Sequence, residues 1–169
     1  WKAWYPQLSV IPIEADELGT YPVTPPPNLA MTFFSGGIDS FFTIMRYEAE
    51  TGTRIGNLIK SSGLDIPLQN VQAFERLRAR LQKAAEELGK NLIDVSTNLR
   101  ETRFRETKWG ELSHGAALAS IGLALEGGYN RIVISSTHSY DSLLPWGSHP
   151  STDPLLSTTA AGPPVELVE

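Results

Sequence analysis

The chain has no cysteine. That absence excludes disulfides, thiolate-bound zinc and a cysteine nucleophile together, and it leaves the cytoplasm as the default compartment. No apolar run approaches the ~18 residues of a membrane span, and no secretory signal is visible, so no membrane partner is expected. Basic residues are also scarce. Lys and Arg number 14 against 19 Asp and Glu, a net charge of −5, which argues against nucleic acid or anionic lipid as a main partner. An acidic chain can still hold an anionic small ligand, because a site needs only local donors. What remains is ordinary for a soluble globular domain: 169 residues, 41% hydrophobic and 20% charged, enough for one domain with a sizeable core. The chain starts at Trp1 and ends in an apolar "VELVE". Both ends look cut, so a fragment of a longer protein, truncated at its C-terminus, is expected.

Residues 1–27 are rich in proline and aromatics and close on Pro25, Pro26 and Pro27. They read as an extension, either the tail of a preceding domain or a flap lying on this one. From residue 28 to 169, strand and helix signals alternate. "NLAMTFFS" (28–35) is a short apolar run ending at glycines, as a buried strand does. Asp39 or Ser40 is placed to cap a helix through "FFTIMRYEAE", with Gly52 just past its end. "RIGNLIKSS" (54–62) reads as a strand. From Asn70, Val71, Phe74, Leu77, Leu81, Ala85 and Leu88 recur at helical spacing until Gly89. "NLIDVSTN" (91–98) is a third strand, followed by the polar, irregular "LRETRFRETKWGEL". Ser113 is placed to cap the apolar "HGAALASIGLALEGG", and "RIVISST" (131–137) is a fourth strand. A proline-rich loop from His138 to about Pro164 is longer than compact domains usually carry, and "VELVE" can add a fifth strand. No internal repeat is present.

This alternation predicts an α/β fold: a parallel sheet of about five strands with helices on both faces. Ligands of such sheets bind beyond the carboxyl ends of the strands. There, between strand one and helix one, stands "SGGIDS", Ser35 to Ser40. Glycines allow positive φ and close ligand approach. The amides from Gly36 to Ser40 are then helix-start donors pointing one way, an arrangement that attracts phosphate. Asp39 does not suit direct anion contact; it suits a Mg²⁺ held between its carboxylate and phosphates. The stretch is not a Walker A loop, because no Gly-Lys-Ser/Thr follows. Nor is it a GxSxG elbow, because Phe33 stands where the first glycine belongs.

"SGGIDS" after an apolar strand resembles the SGGxDS signature of the PP-loop superfamily, the N-type ATP pyrophosphatases. The resemblance implies a Rossmann-like fold. It also implies ATP and Mg²⁺, with the pyrophosphate in the loop, and adenylation of a carboxylate or amide-like oxygen with release of pyrophosphate. It assigns nucleotide contacts to Phe34, Ser35, Gly36, Gly37, Ile38, Asp39 and Ser40, with Asp39 and Ser40 nearest the chemistry. It rests the adenine on backbone at the ends of strands one and two, near Phe33, Phe34, Lys60, Ser61 and Ser62. His114 and Gly115, at a helix start that faces the nucleotide in such proteins, join the set. Lys60 has two readings, a phosphate-reaching ammonium or a solvated strand-end lysine. His114 likewise reads as a site residue or as a helix-start cap. Arg100, Arg103 and Arg105 read as a solvated cluster, one of which could face phosphate.

The stretch after strand four holds His138, Tyr140, Asp141, Trp146, His149 and Asp153. Such a loop is costly to order without a ligand. Its region corresponds to the substrate-facing loop of 7-cyano-7-deazaguanine synthase, to which it is loosely similar. Tyr140, Asp141, Trp146, His149 and Asp153 are therefore expected to meet an acceptor, either a small molecule or a modified base. The plainer alternative is a proline-stiffened surface loop with a buried Trp. A His138, His149 and Asp metal site matches no standard zinc spacing, and Ser136, His138 and Asp141 lie too close in sequence for a triad. The deazaguanine synthases carry a zinc-binding cysteine cluster near the C-terminus that this chain lacks. A non-catalytic adenine-nucleotide module is the second functional reading, an ATP-independent hydrolase the third, and a homodimer stays open.

Overall fold

The computed structural model describes residues 2–12, 14–16, 29–125, 129, 131–135, 138, 140–149, 151 and 165–168. Its elements alternate as β1 (Leu29–Phe33), α1 (Ile38–Thr51), β2 (Arg54–Ser62), α2 (Val71–Glu87), β3 (Asn91–Ser96), α3 (His114–Ala124), β4 (Arg131–Ser135) and β5 (Val165–Val168). All strand pairs are parallel. Strands β1 to β4 make the body of the sheet and the short β5 adds at its edge, in the order β3-β2-β1-β4-β5.

Two apolar clusters show why this order holds. Ala30, Phe34, Ile55, Leu58 and Val133 pack with Ile44 and Tyr47 of α1 and with Leu81 and Ala85 of α2. Met31, Ile59, Ile132 and Ile134 turn to the opposite side and meet Ala119 and Ile121 of α3. Neighbouring strand residues thus feed opposite faces, as the pleat requires, and helices cover both. Ile55 and Leu58 share a face although they are three positions apart. The register slips between Ala30 and Met31, leaving Gly56 as an extra residue opposite β1, and such a bulge reverses the alternation.

Each helix has a local cause. Asn70 caps α2 by accepting from the Ala73 amide at 3.2 Å, and Gly52 ends α1 in the left-handed region at φ 67°. The "LRETRFRETKWGEL" stretch forms two short 3₁₀ turns, Leu99–Glu101 and Arg103–Glu106, and then one wide π turn, Trp109–Ser113, that runs into α3. Ser113 gives α3 no side-chain cap; its hydroxyl pairs instead with that of Thr107 at 2.9 Å. At the lower end of the sheet, Lys90 donates to Glu48 at 2.6 Å and to the Ile55 carbonyl at 2.7 Å. That buried ammonium ties α1, β2 and the start of β3 together. Among the described residues no helix is long and apolar enough to cross a membrane.

Candidate functional site

In the order β3-β2-β1-β4-β5 the chain winds outward from β1 to β3, then crosses back to β4 on the other side of β1. The reversal lies between β1 and β4, and open parallel sheets bind ligands in the crevice above such a reversal. The segment leaving β1 at that point is Phe34-Ser35-Gly36-Gly37.

Helix α1 begins at Ile38 with Gly37 as its N-cap. Neither Asp39 nor Ser40 caps it, contrary to the sequence expectation; both lie inside the first turn. Gly36 sits at φ 74°, a conformation costly to any residue with a Cβ. A Cβ there would also meet Leu81 Cδ2 at 2.6 Å. The turn is closed by two small contacts. The Gly37 amide donates to Ser35 Oγ at 3.2 Å, and Ser40 Oγ donates to the Gly37 carbonyl at 2.8 Å.

The remaining amides are the notable part. Among the described residues, the N–H groups of Gly36, Ile38, Asp39 and Ser40 meet no acceptor. Ser35, Gly36, Gly37, Ile38 and Asp39 are exposed, while Ser40 is buried. Three of these donors belong to exposed residues at the positive end of a 14-residue helix, on a rim where an anion can approach, with the amide of buried Ser40 behind them. Ser35 Oγ accepts from Gly37, so its own hydrogen is available to donate; the hydroxyl hydrogen of Ser40 is committed to Gly37. Ser40 thus shapes the turn through its side chain and offers a ligand only its amide.

Asp39 projects from the first turn and is exposed. No group of His, Cys, Asp or Glu among the described residues converges to hold a metal unaided. A lone carboxylate is nevertheless the usual protein share of a Mg²⁺ site whose other ligands are phosphates and water, so Asp39 fits that ion if an anion occupies the amides.

Other expected residues fall out differently. Lys60 is neither solvated nor directed at the glycine turn. It is 4% exposed, donates to Asp94 at 2.9 Å and to Ser62 Oγ at 3.2 Å, and lies over the Phe74 ring. Asp94 also accepts from Arg78 at 2.8 Å. The alternation of β2 decides this: Lys60 faces α2, and a buried ammonium must find a counter-charge. Phe34 is core, set edge-on to Phe41, and its amide is held by the Ile59 carbonyl at 2.9 Å, which leaves only its carbonyl for a ligand. Ser61, one residue on from Lys60, has a buried Oγ with no partner among the described residues. An unmatched hydroxyl at the end of β2 fits a polar edge of a bound molecule.

His114 and Gly115 serve mainly to seat the 145–149 segment. A Cβ on Gly115 would strike the Gly147 carbonyl, and one on Gly147 would strike His114. The Gly147 amide donates to the Gly110 carbonyl at 2.8 Å. His114 Nδ1 donates to that same carbonyl at 3.0 Å, because a carbonyl only accepts. Trp146 lies across Gly110 and edge-on to His138. His149 is 8% exposed, packs against Trp4 at 4.6 Å and accepts from the Ser151 amide at 3.0 Å. It is therefore part of a packed corner rather than a solvent-facing ligand group. Tyr5 adds to that corner by donating to the Pro145 carbonyl at 2.9 Å. Asp141 is exposed on a short turn, Tyr140–Ser142; Asp153 lies outside the described residues. Sequence reading missed this glycine-to-glycine seating. Its only signal was the recurrence of glycine at 110, 115 and 147, which looks like loop composition until the three positions meet.

The chain matches no family model, no curated protein and no solved structure.

Proposed function

We propose that this chain is a nucleotide-binding domain of the PP-loop type, with a Rossmann-like fold. In this reading it takes ATP on the 35–40 turn and adenylates an acceptor carboxylate or amide-like oxygen with release of pyrophosphate. One observation carries the reading: the unbonded amides of Gly36, Ile38, Asp39 and Ser40, gathered at a helix start above the strand-order reversal. Such a set of donors answers a polyphosphate better than any neutral ligand.

The residues then divide the work. The four amides and Ser35 Oγ orient the phosphates and hold their charge. Gly36 lets the backbone turn without a side chain in the way, and Ser40 Oγ fixes the carbonyl of Gly37. Asp39 holds Mg²⁺, which when bound neutralises phosphate charge. The orphan hydroxyl of Ser61 and the main chain at the end of β1 are the groups offered to the base. Rate enhancement comes from positioning and charge stabilisation, which suits a site without an acid/base pair. The acceptor, a small molecule or a modified base, stays unnamed. Tyr140, Asp141 and Trp146 are the acceptor-side candidates, because in the chain they follow β4, the strand across the reversal from β1.

The test is pyrophosphate release from ATP labelled at the α-phosphate, with Asp39→Ala as the comparison. The proposal expects Mg²⁺-dependent release when a competent acceptor is supplied, and a loss of at least tenfold in the variant. Equal affinity for AMP and ATP, with no pyrophosphate formed, would establish the non-catalytic module instead.

A further inference from the structure

A cavity opens on the same rim, beyond β2 and β3. It measures about 500 Å³, and its lining includes Asp65, Leu68, Gln69, Arg100, Glu101 and Arg105. The size is within the ~300–1,000 Å³ of small-molecule sites. Some of its polar groups are already engaged. Gln69 Nε2 donates to Glu101 at 2.6 Å, and the Arg100 guanidinium carbon lies over Trp109, 4.5 Å from the ring centre. Arg105 and Asp65 are not. They do not pair with each other, and among the described residues neither forms an ion pair with any other group.

Two arginines and two acids line the one cavity, and among the described residues none of the four forms an ion pair. Arg105 and Asp65 also lack any other side-chain partner there, and this balance of signs sets a chemical requirement. A simple anion would satisfy Arg105 and be repelled by Asp65; a simple cation would meet the reverse. We infer that the cavity binds a small zwitterion, its carboxylate on the Arg105 fork and its ammonium on Asp65, with the carbon skeleton against Leu68. A guanidinium matches a carboxylate with two parallel hydrogen bonds, and an ammonium donates to the aspartate. The free α-amino acids are the smallest members of this class. The inference does not depend on the nucleotide reading, since neither group belongs to the 35–40 turn.

The experiment is calorimetric titration of the chain with each free L-α-amino acid, without nucleotide. Any binder is followed by its deaminated acid and its decarboxylated amine. At least one amino acid should bind saturably at one site, and each truncated analogue should bind about tenfold more weakly. Arg105→Gln and Asp65→Asn should each cause a similar loss. Both residues are exposed, so the melting temperature should not move. Binding by no amino acid up to about 10 mM, a deaminated acid that binds as well as its parent, or variants that bind like the original would each overturn the inference.

Discussion

Adding one methyl group at Gly36 and, separately, at Gly37 should give opposite results, although the two positions are adjacent. At Gly36 the backbone has φ 74°, which costs an alanine roughly 1–2 kcal/mol. The new Cβ also presses on Leu81 Cδ2 at 2.6 Å. Leu81 is 4% exposed within the α2 side of the core, so its displacement adds roughly 1 kcal/mol. The expected loss is about 2–3 kcal/mol, or a melting temperature lower by about 4–12 °C. At Gly37 the backbone has φ −82° and ψ 167°, which alanine adopts freely. A Cβ there meets only Ser35 Oγ, at 3.3 Å. Its stability cost is that of a poorer N-cap, at most about 1 kcal/mol. That methyl otherwise points into open space beside the unbonded amides, which is where the account puts phosphate. Gly37→Ala should therefore melt within about 4 °C of the parent and bind MgATP at least tenfold more weakly. Thermal melts and calorimetry on the two variants decide it. A folded Gly37→Ala chain with unchanged ATP affinity would refute the reasoning about the site; a Gly36→Ala chain as stable as the parent would refute the reasoning about the turn.

The remaining predictions concern the framework. Asp94→Ala should destabilise the fold by about 2–3 kcal/mol, because it strands the Lys60 ammonium, whereas Lys60→Met should cost under about 1 kcal/mol because Asp94 keeps Arg78; denaturant melts that rank the pair in reverse would contradict this assignment. Gly115→Ala should lower stability by about 1–3 kcal/mol and shift tryptophan emission to the red as Trp146 lifts from Gly110, and an unchanged spectrum would show that the 145–149 segment does not depend on that close approach. Asp39→Ala should leave the melting temperature within about 4 °C, since Asp39 is exposed and loses only its attraction to the start of α1, while removing Mg²⁺-dependent pyrophosphate release; residual release at the parent rate would take Asp39 out of the metal site.

Much of the architecture was readable from periodicity. The 3.6-residue spacing of Val71, Phe74, Leu77, Leu81 and Ala85 marks α2, and the short apolar runs mark the strands, because both patterns follow directly from which side faces the core. The glycine turn was readable because its backbone demands glycine: Gly36 sits at φ 74°, and such a need leaves its mark in the sequence. The start of α1 was misplaced because N-cap reasoning looks for a side-chain acceptor, and here Gly37 caps without one. Lys60 was misread for a different cause. Its partner Asp94 lies 34 residues on, and only the β2–β3 register, Lys60 opposite Asp94, brings the two together. The same holds for Trp4 on His149 and Gly115 on Gly147: contacts between distant segments leave no local pattern to find.

The central claim is that a polyphosphate settles on main-chain donors at the first strand-to-helix bend. An amide-resolved NMR titration with MgATP tests it most directly. The account predicts that the signals of Gly36, Ile38, Asp39 and Ser40 move together and saturate on one binding curve. Signals that stay fixed there while ATP perturbs another part of the chain, or no part of it, would contradict the claim.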